Sequence, residues 1–142
     1  VGAVRDLPNR TWLKKLPPPS GSTTYQRFAR WLMRNNTFDV GLCPLVDNAF
    51  NNCKSDLKIL DYSALGLVSV VSDCVPYTKT ARDNNCAFVV DKNTSWSATL
   101  NSIQKDKTEA LSILSSAENY LWTERPVSVA ADMMSNRIKN LL

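Results

Sequence analysis

The chain has 142 residues, 44% hydrophobic and 21% charged, which is enough for one buried core and too apolar for a disordered polymer. Its net charge of +4 suits phosphorylated ligands or anionic surfaces and does not select nucleic acid. No window approaches the roughly 18 apolar residues of a membrane span and no signal-peptide core opens the chain, so a cytoplasmic protein is expected, with membrane contact limited to a peripheral one at the inner membrane.

Taken in chain order, Val1 to Val4 reads as the end of a strand entering a turn at Asp6 to Asn9, and Thr11 to Leu16 as a short apolar-basic segment of strand character. Pro17 to Ser22 is a rigid loop ending in helix-cap residues. Tyr25, Phe28, Ala29 and Leu32 mark an amphipathic helix with Arg27, Arg30 and Arg34 on its other side. Those arginines read as a solvated face, or else as a contact for an anionic membrane surface or a charged acceptor. Aromatics do not interleave with them as a single-strand binding platform requires, so no nucleic-acid partner is expected.

Phe38, Val40 and Leu42 alternate and end in Cys43-Pro44, a strand feeding a loop. Asn51, Asn52 and Ser55 carry N-cap chemistry for a helix whose Leu57, Leu60 and Ala64 pack on a sheet and which Gly66 stops. Val68, Val70 and Val71 form a strand buried on both faces, and Ser72 to Tyr77 a loop. Ala87 to Val90 is the last strand. Trp96, Leu100 and Ile103 define one helix, Leu111, Leu114, Ala117 and Leu121 the next, and Pro126 opens a final helix with Val129, Met133, Met134, Ile138 and Leu141. Strands alternating with helices predict an α/β fold, a Rossmann-like parallel sheet with helices on both faces. Ligands in such sheets bind beyond the carboxyl ends of the strands, where the segments 44–55 and 72–77 would frame one crevice.

Cys43, Cys53, Cys74 and Cys86 are widely spaced, with no C-x-x-C pair, and read as free thiols rather than a zinc site. The chain contains no histidine, which removes any Ser-His-Asp or Cys-His hydrolase built within it.

Lys54, Lys58 and Asp61 fall at i, i+4 and i+7 and share one face near the start of the helix after Pro44. A helix N-terminus favours an anion through its N–H groups and dipole. Two lysines beside it point to a diphosphate, and a carboxylate one turn on can accept hydrogen bonds from a sugar. Ser55 fits both a cap and a phosphate contact. Asp47, Asn48, Asn51 and Asn52, in the loop ahead, read as plain loop polarity, or else as contacts for a donor's sugar. The blander alternative is a solvated helix face with Asp61 paired to a lysine at helical spacing.

DVGLCPL, KSDLKILDYSALG and VSVVSD together resemble the donor-binding C-terminal half of GT-B glycosyltransferases, above all the retaining family 4 type (glycosyl transferases group 1). Lys58, Asp61, Tyr62, Ala64 and Gly66 match that family's Lys-x-x-Glu-Tyr-x-Ala-x-Gly element in order, with Asp for Glu. Many members carry a further Glu eight residues earlier, where this chain has Cys53, which shifts weight onto Lys54, Ser55 and Lys58. The resemblance implies one donor-binding domain over residues 1–142, lacking its first strand and helix and the N-terminal acceptor domain. It implies transfer of a sugar from a nucleotide diphosphate sugar to a glycan, a lipid-linked or another hydroxyl acceptor in polysaccharide biosynthesis, without a cofactor or bound metal. Lys58 would stabilise the leaving diphosphate, Lys54, Ser55 and Asn52 would contact the donor, and Asp61 would hold the ribose. The alternatives are a non-catalytic flavodoxin-like interaction module or an inactive glycosyltransferase fragment. A dinucleotide-dependent oxidoreductase is poorly supported, because no G-x-G-x-x-G follows a strand and the chain has four glycines.

Overall fold

The computed structural model describes residues 10–17 and 24–139, in two units that meet between Thr37 and Phe38. The expected strand end at Val1 to Val4, the turn at Asp6 to Asn9, all but the first residue of the loop at 17–22, and Leu141 lie outside the described residues.

In the first unit, residues 11–16 form a turn and irregular chain rather than a strand; Leu13 N–H donates to Arg10 O at 3.0 Å. Helix α1 (Tyr25–Arg34) follows as expected, with Arg27, Arg30 and Arg34 exposed and the rings of Phe28 and Trp31 5.9 Å apart.

The second unit is α/β. Its elements are β1 (Val40–Cys43), α2 (Ala49–Asn52), α3 (Leu57–Ala64), β2 (Val68–Ser72), α4 (Val75–Asp83), β3 (Phe88–Val90), α5 (Trp96–Lys105), α6 (Lys107–Glu124) and α7 (Val127–Lys139). The three strands form one parallel sheet in the order β1-β2-β3, with Val40 opposite Val68 and Val70 opposite Phe88. β2 is central, and its residues Val68 to Val71 are all buried, as its run of valines predicts.

Side-chain alternation divides the core between the two faces of the sheet. Cys43 and Val71 pack with Ile59 of α3, Tyr77 and Ala81 of α4, and Ala117 of α6. Val68, Val70 and Val90 pack with Ile103 of α5 and Ala110 of α6, flanked by Trp96, Leu100 and Leu114. The long α6 therefore reaches both clusters. Its inward residues are Ala110, Ile113 and Ala117, while Leu111 is exposed.

Three local differences from the sequence reading have physical causes. The apolar alternation Phe38, Val40, Leu42 points away from the α3 side; Gly41 and Cys43 are the buried residues of β1, and Leu42 is 44% exposed. A glycine at the buried position hid that face, because hydropathy gives it no weight. In α3 the inward residues are Ile59 and Ser63, with Tyr62 packed beside them, whereas Leu57 is 50% exposed and Ala64 is exposed. The helix starts late, after a break at residues 53–56, and the buried Asp56 before it sets its rotation. Ser72 to Tyr77 is only partly a loop, since α4 starts at Val75 with Pro76 in its first turn, where a missing N–H costs nothing.

The stop after α3 is as expected. Gly66 has φ +69°, its N–H donates to Ser63 O (3.0 Å) and the Leu67 N–H donates to Tyr62 O (2.9 Å), the paired closure of a Schellman turn. A Cβ at Gly66 would meet nothing, so Gly66→Ala isolates backbone strain. It is expected to cost about 1–2 kcal/mol in urea unfolding, and an unchanged midpoint would refute this.

Candidate functional site

Parallel pairing puts the carboxyl ends of β1 and β2 on one rim, and a hydrogen bond ties the loop after β1 to the last residue of β2: Leu45 N–H donates to Ser72 Oγ at 2.8 Å. Asp73, just past β2, accepts from the Thr78 hydroxyl (2.8 Å) and from Arg82 (3.3 Å), so it braces the start of α4.

The loop after β1 closes into α2. Asn48 Oδ1 caps this turn by accepting from Asn51 N–H (2.9 Å), and the buried Asn51 donates through Nδ2 to Val46 O (2.8 Å). Asn52 Nδ2 donates to Asp47 Oδ1 at 2.8 Å, while its buried Oδ1 has no hydrogen-bond partner among the described residues. Asn51 and Asn52 thus belong to this short turn and do not cap the helix that follows.

Ser55 does not cap it either. Lys54 and Ser55 both lie exposed in the break between α2 and α3, and the residue at the N-cap position of α3 is Asp56. The expected single face of Lys54, Lys58 and Asp61 on one helix is corrected accordingly: only Lys58 and Asp61 are helical. The Lys54 ammonium sits 5.1 Å above the ring of Phe50 on α2. Lys58 Nζ and Asp61 Oδ2 are 3.4 Å apart, with the lysine half exposed. An exposed pair of this kind is worth no more than about 1 kcal/mol and opens readily towards another partner.

The helix that carries the pair packs beside the end of β1, with Ile59 in one buried cluster with Cys43. Burial pushes that thiol up to about 12, the Lys58 charge opposes the rise and Asp61 adds to it. Tyr62 links the helix to the strand. Its ring covers Gly41, where an added Cβ would lie 2.2 Å from Cδ2, and its hydroxyl donates to Leu42 O at 3.2 Å. Burial raises the Tyr62 phenol well above its ordinary value and pushes Tyr77 up to about 12.

One element of the architecture escapes sequence reading altogether. Asp56 is buried and accepts from the Thr80 hydroxyl (2.8 Å) and from both terminal nitrogens of Arg125 (2.6 and 3.1 Å). Arg125 also donates to Tyr120 OH at 3.1 Å, and the bond to Asp56 raises its pKa further. The contact joins the start of α3 to α4 and to the end of α6, across 69 residues of sequence. Helical spacing relates Asp56 to Ile59 and Ser63 and hints that it faces inward; nothing in the spacing identifies Arg125.

Of the four thiols, Cys43, Cys74 and Cys86 are buried and Cys53 is exposed. Burial pushes Cys86 up to about 11. The thiolate is the nucleophile, so at pH 8 a maleimide is expected to label Cys53 alone, and all four after unfolding. Rapid native labelling of a second thiol would contradict this. The raised folded values also leave stability intact below the ordinary thiol value of 9.0 and remove it as pH rises towards 11–12, by about 1.4 kcal/mol per thiol per pH unit.

Two clefts lie elsewhere. One, of about 540 Å³, runs along α6 past Asn84, Asn119, Tyr120 and Glu124. The other, of about 480 Å³, lies at the amino ends of β1 and β2, between Val40, Val68, Leu100 and Leu114. Neither is lined by Asn52, Lys54, Ser55, Lys58 or Asp61. Among the described residues no His, Cys, Asp and Glu cluster is placed to hold a metal ion, and no helix is long and apolar enough to cross a membrane. Comparison of the chain with protein-family models, curated proteins and solved structures finds no match.

Proposed function

We propose that this chain is the donor-binding part of a GT-B glycosyltransferase of the retaining family 4 type, taking a nucleotide diphosphate sugar and passing its sugar to a glycan or lipid-linked hydroxyl acceptor. The observation that carries the reading is the Lys58–Asp61 pair in the first turns of an α-helix that follows the carboxyl end of a parallel strand, with Lys54 in the loop ahead of it. That is where an α/β sheet receives anionic ligands. No side chain caps the first turn of α3, so its leading N–H groups are not spent on a side-chain cap.

In this reading Lys58 leaves its weak pair with Asp61 and stabilises the departing diphosphate, assisted by Lys54 and Ser55. Asp61 accepts from the ribose hydroxyls and so fixes the donor's position. Asn52 stands on the sugar side. The acceptor comes from an N-terminal domain facing the same rim, and the anomeric outcome is retention, both by family resemblance. A non-catalytic interaction module is the second reading, favoured by Val46 and Val75, which are 70% and 65% exposed on this rim.

Calorimetric titration with UDP, GDP, ADP and their sugar conjugates separates the two. The donor reading predicts saturable binding of one nucleotide, weakened about tenfold or more by Lys58→Ala and by Asp61→Ala without loss of fold. A folded protein that binds none of them overturns it and leaves the interaction module or an inactive fragment.

A further inference from the structure

Phe50 belongs to neither buried cluster among the described residues. It is 77% exposed, on a four-residue helix whose one buried residue is Asn51. So short a helix does not hold itself together, and four side-chain bonds fix it: Asn48 to Asn51, Asn51 to Val46, Asn52 to Asp47 and Cys53 to Ala49. The chain thus invests its local polar groups in a rigid turn that presents a phenyl ring outward. The Lys54 ammonium lies over that ring at 5.1 Å, a position from which it can also meet a phosphate. The turn also carries the exposed carboxylate of Asp47, which accepts from Asn52 Nδ2 at 2.8 Å.

We infer that Phe50 is the platform on which the sugar of the donor stacks, its C–H-bearing face against the ring and its hydroxyls towards the exposed Asp47 carboxylate; this rests on the donor site proposed above. The two lysines set the order. Lys58 is paired with Asp61, the residue assigned to the ribose, and Lys54 with Phe50, so the group beyond the diphosphate on the Lys54 side is the sugar rather than the base. Aromatic stacking on a ring held rigid beforehand adds affinity at little entropic cost.

The test compares the diphosphate that binds best among UDP, GDP and ADP with its glucose conjugate, on the unaltered protein, Phe50→Ala and Phe50→Trp. Phe50→Ala is expected to weaken the sugar conjugate about five- to tenfold more than it weakens the bare diphosphate, while Phe50→Trp retains the conjugate. Equal losses for both ligands, or none for either, overturn the platform while the donor site stands. Failure of the unaltered protein to bind any diphosphate overturns the donor site and the platform with it. Because Phe50 is so exposed, its substitution leaves the fold intact, which circular dichroism verifies.

Discussion

Alanine at position 41 is expected to cost this fold about 3 kcal/mol, at the upper end of the range for overpacking a core. The added Cβ would lie 2.2 Å from Tyr62 Cδ2 and 2.5 Å from Cγ and Cε2. Those atoms include the root of the ring, so the side chain cannot swing its tip aside. Either the ring leaves, and with it the hydrogen bond from Tyr62 to Leu42 O, or α3 lifts from the sheet and carries Lys58 and Asp61 away from the rim. The urea midpoint is expected to fall by about 1 M or more. Tyr62→Ala provides the control: once the ring is gone the clash is gone, and Gly41→Ala in that background costs nothing or gains slightly, since alanine is the better strand residue. Simple additivity of the two substitutions would refute the close approach.

Arg125→Ala is expected to cost about 2–4 kcal/mol. Removing one partner of a buried ion pair strands the other, and the Asp56 side chain is 9% exposed with two of its three hydrogen bonds coming from Arg125. The lower bound reflects Arg125 itself, which is 34% exposed and partly served by water. Arg125→Lys recovers only part of the loss, because an ammonium cannot make the two-pronged contact. Equal unfolding midpoints for Arg125→Ala and the unaltered protein would show that the pair contributes nothing. The contact matters for the site as well, since Asp56 stands two residues before Lys58 and fixes where α3 begins.

These two residues also mark where sequence reading stops. The strand over Val68 to Val71, the glycine stop at Gly66 and the helices α5 to α7 were legible because each is written in local chemistry: a β-branched run, a left-handed residue, a period of 3.6. The inward face of β1 was not, because a glycine made room there for a ring from α3 and left no hydropathy signal. The rotation of α3 was misread because Asp56, an acid, holds its inward position through an arginine 69 residues away. For the candidate site, Lys58, Asp61 and their place after β1 were legible from spacing, whereas the grouping with Lys54 failed at the break between α2 and α3. Breaks of that kind depend on specific side-chain bonds, here the local ones of Asn48, Asn51 and Asn52, which no periodicity records.

The central claim is that the rim around Lys58 and Asp61 receives a nucleoside diphosphate. Backbone amide chemical-shift mapping during titration with UDP, GDP and ADP tests it most directly, because it reports where a ligand sits as well as whether it binds. The account predicts shifts concentrated in residues 45–61 and 72–77 for one of the three nucleotides, saturating with a single affinity. Shifts confined to the cleft along α6 or to the amino ends of β1 and β2, or none at saturating nucleotide, would contradict it.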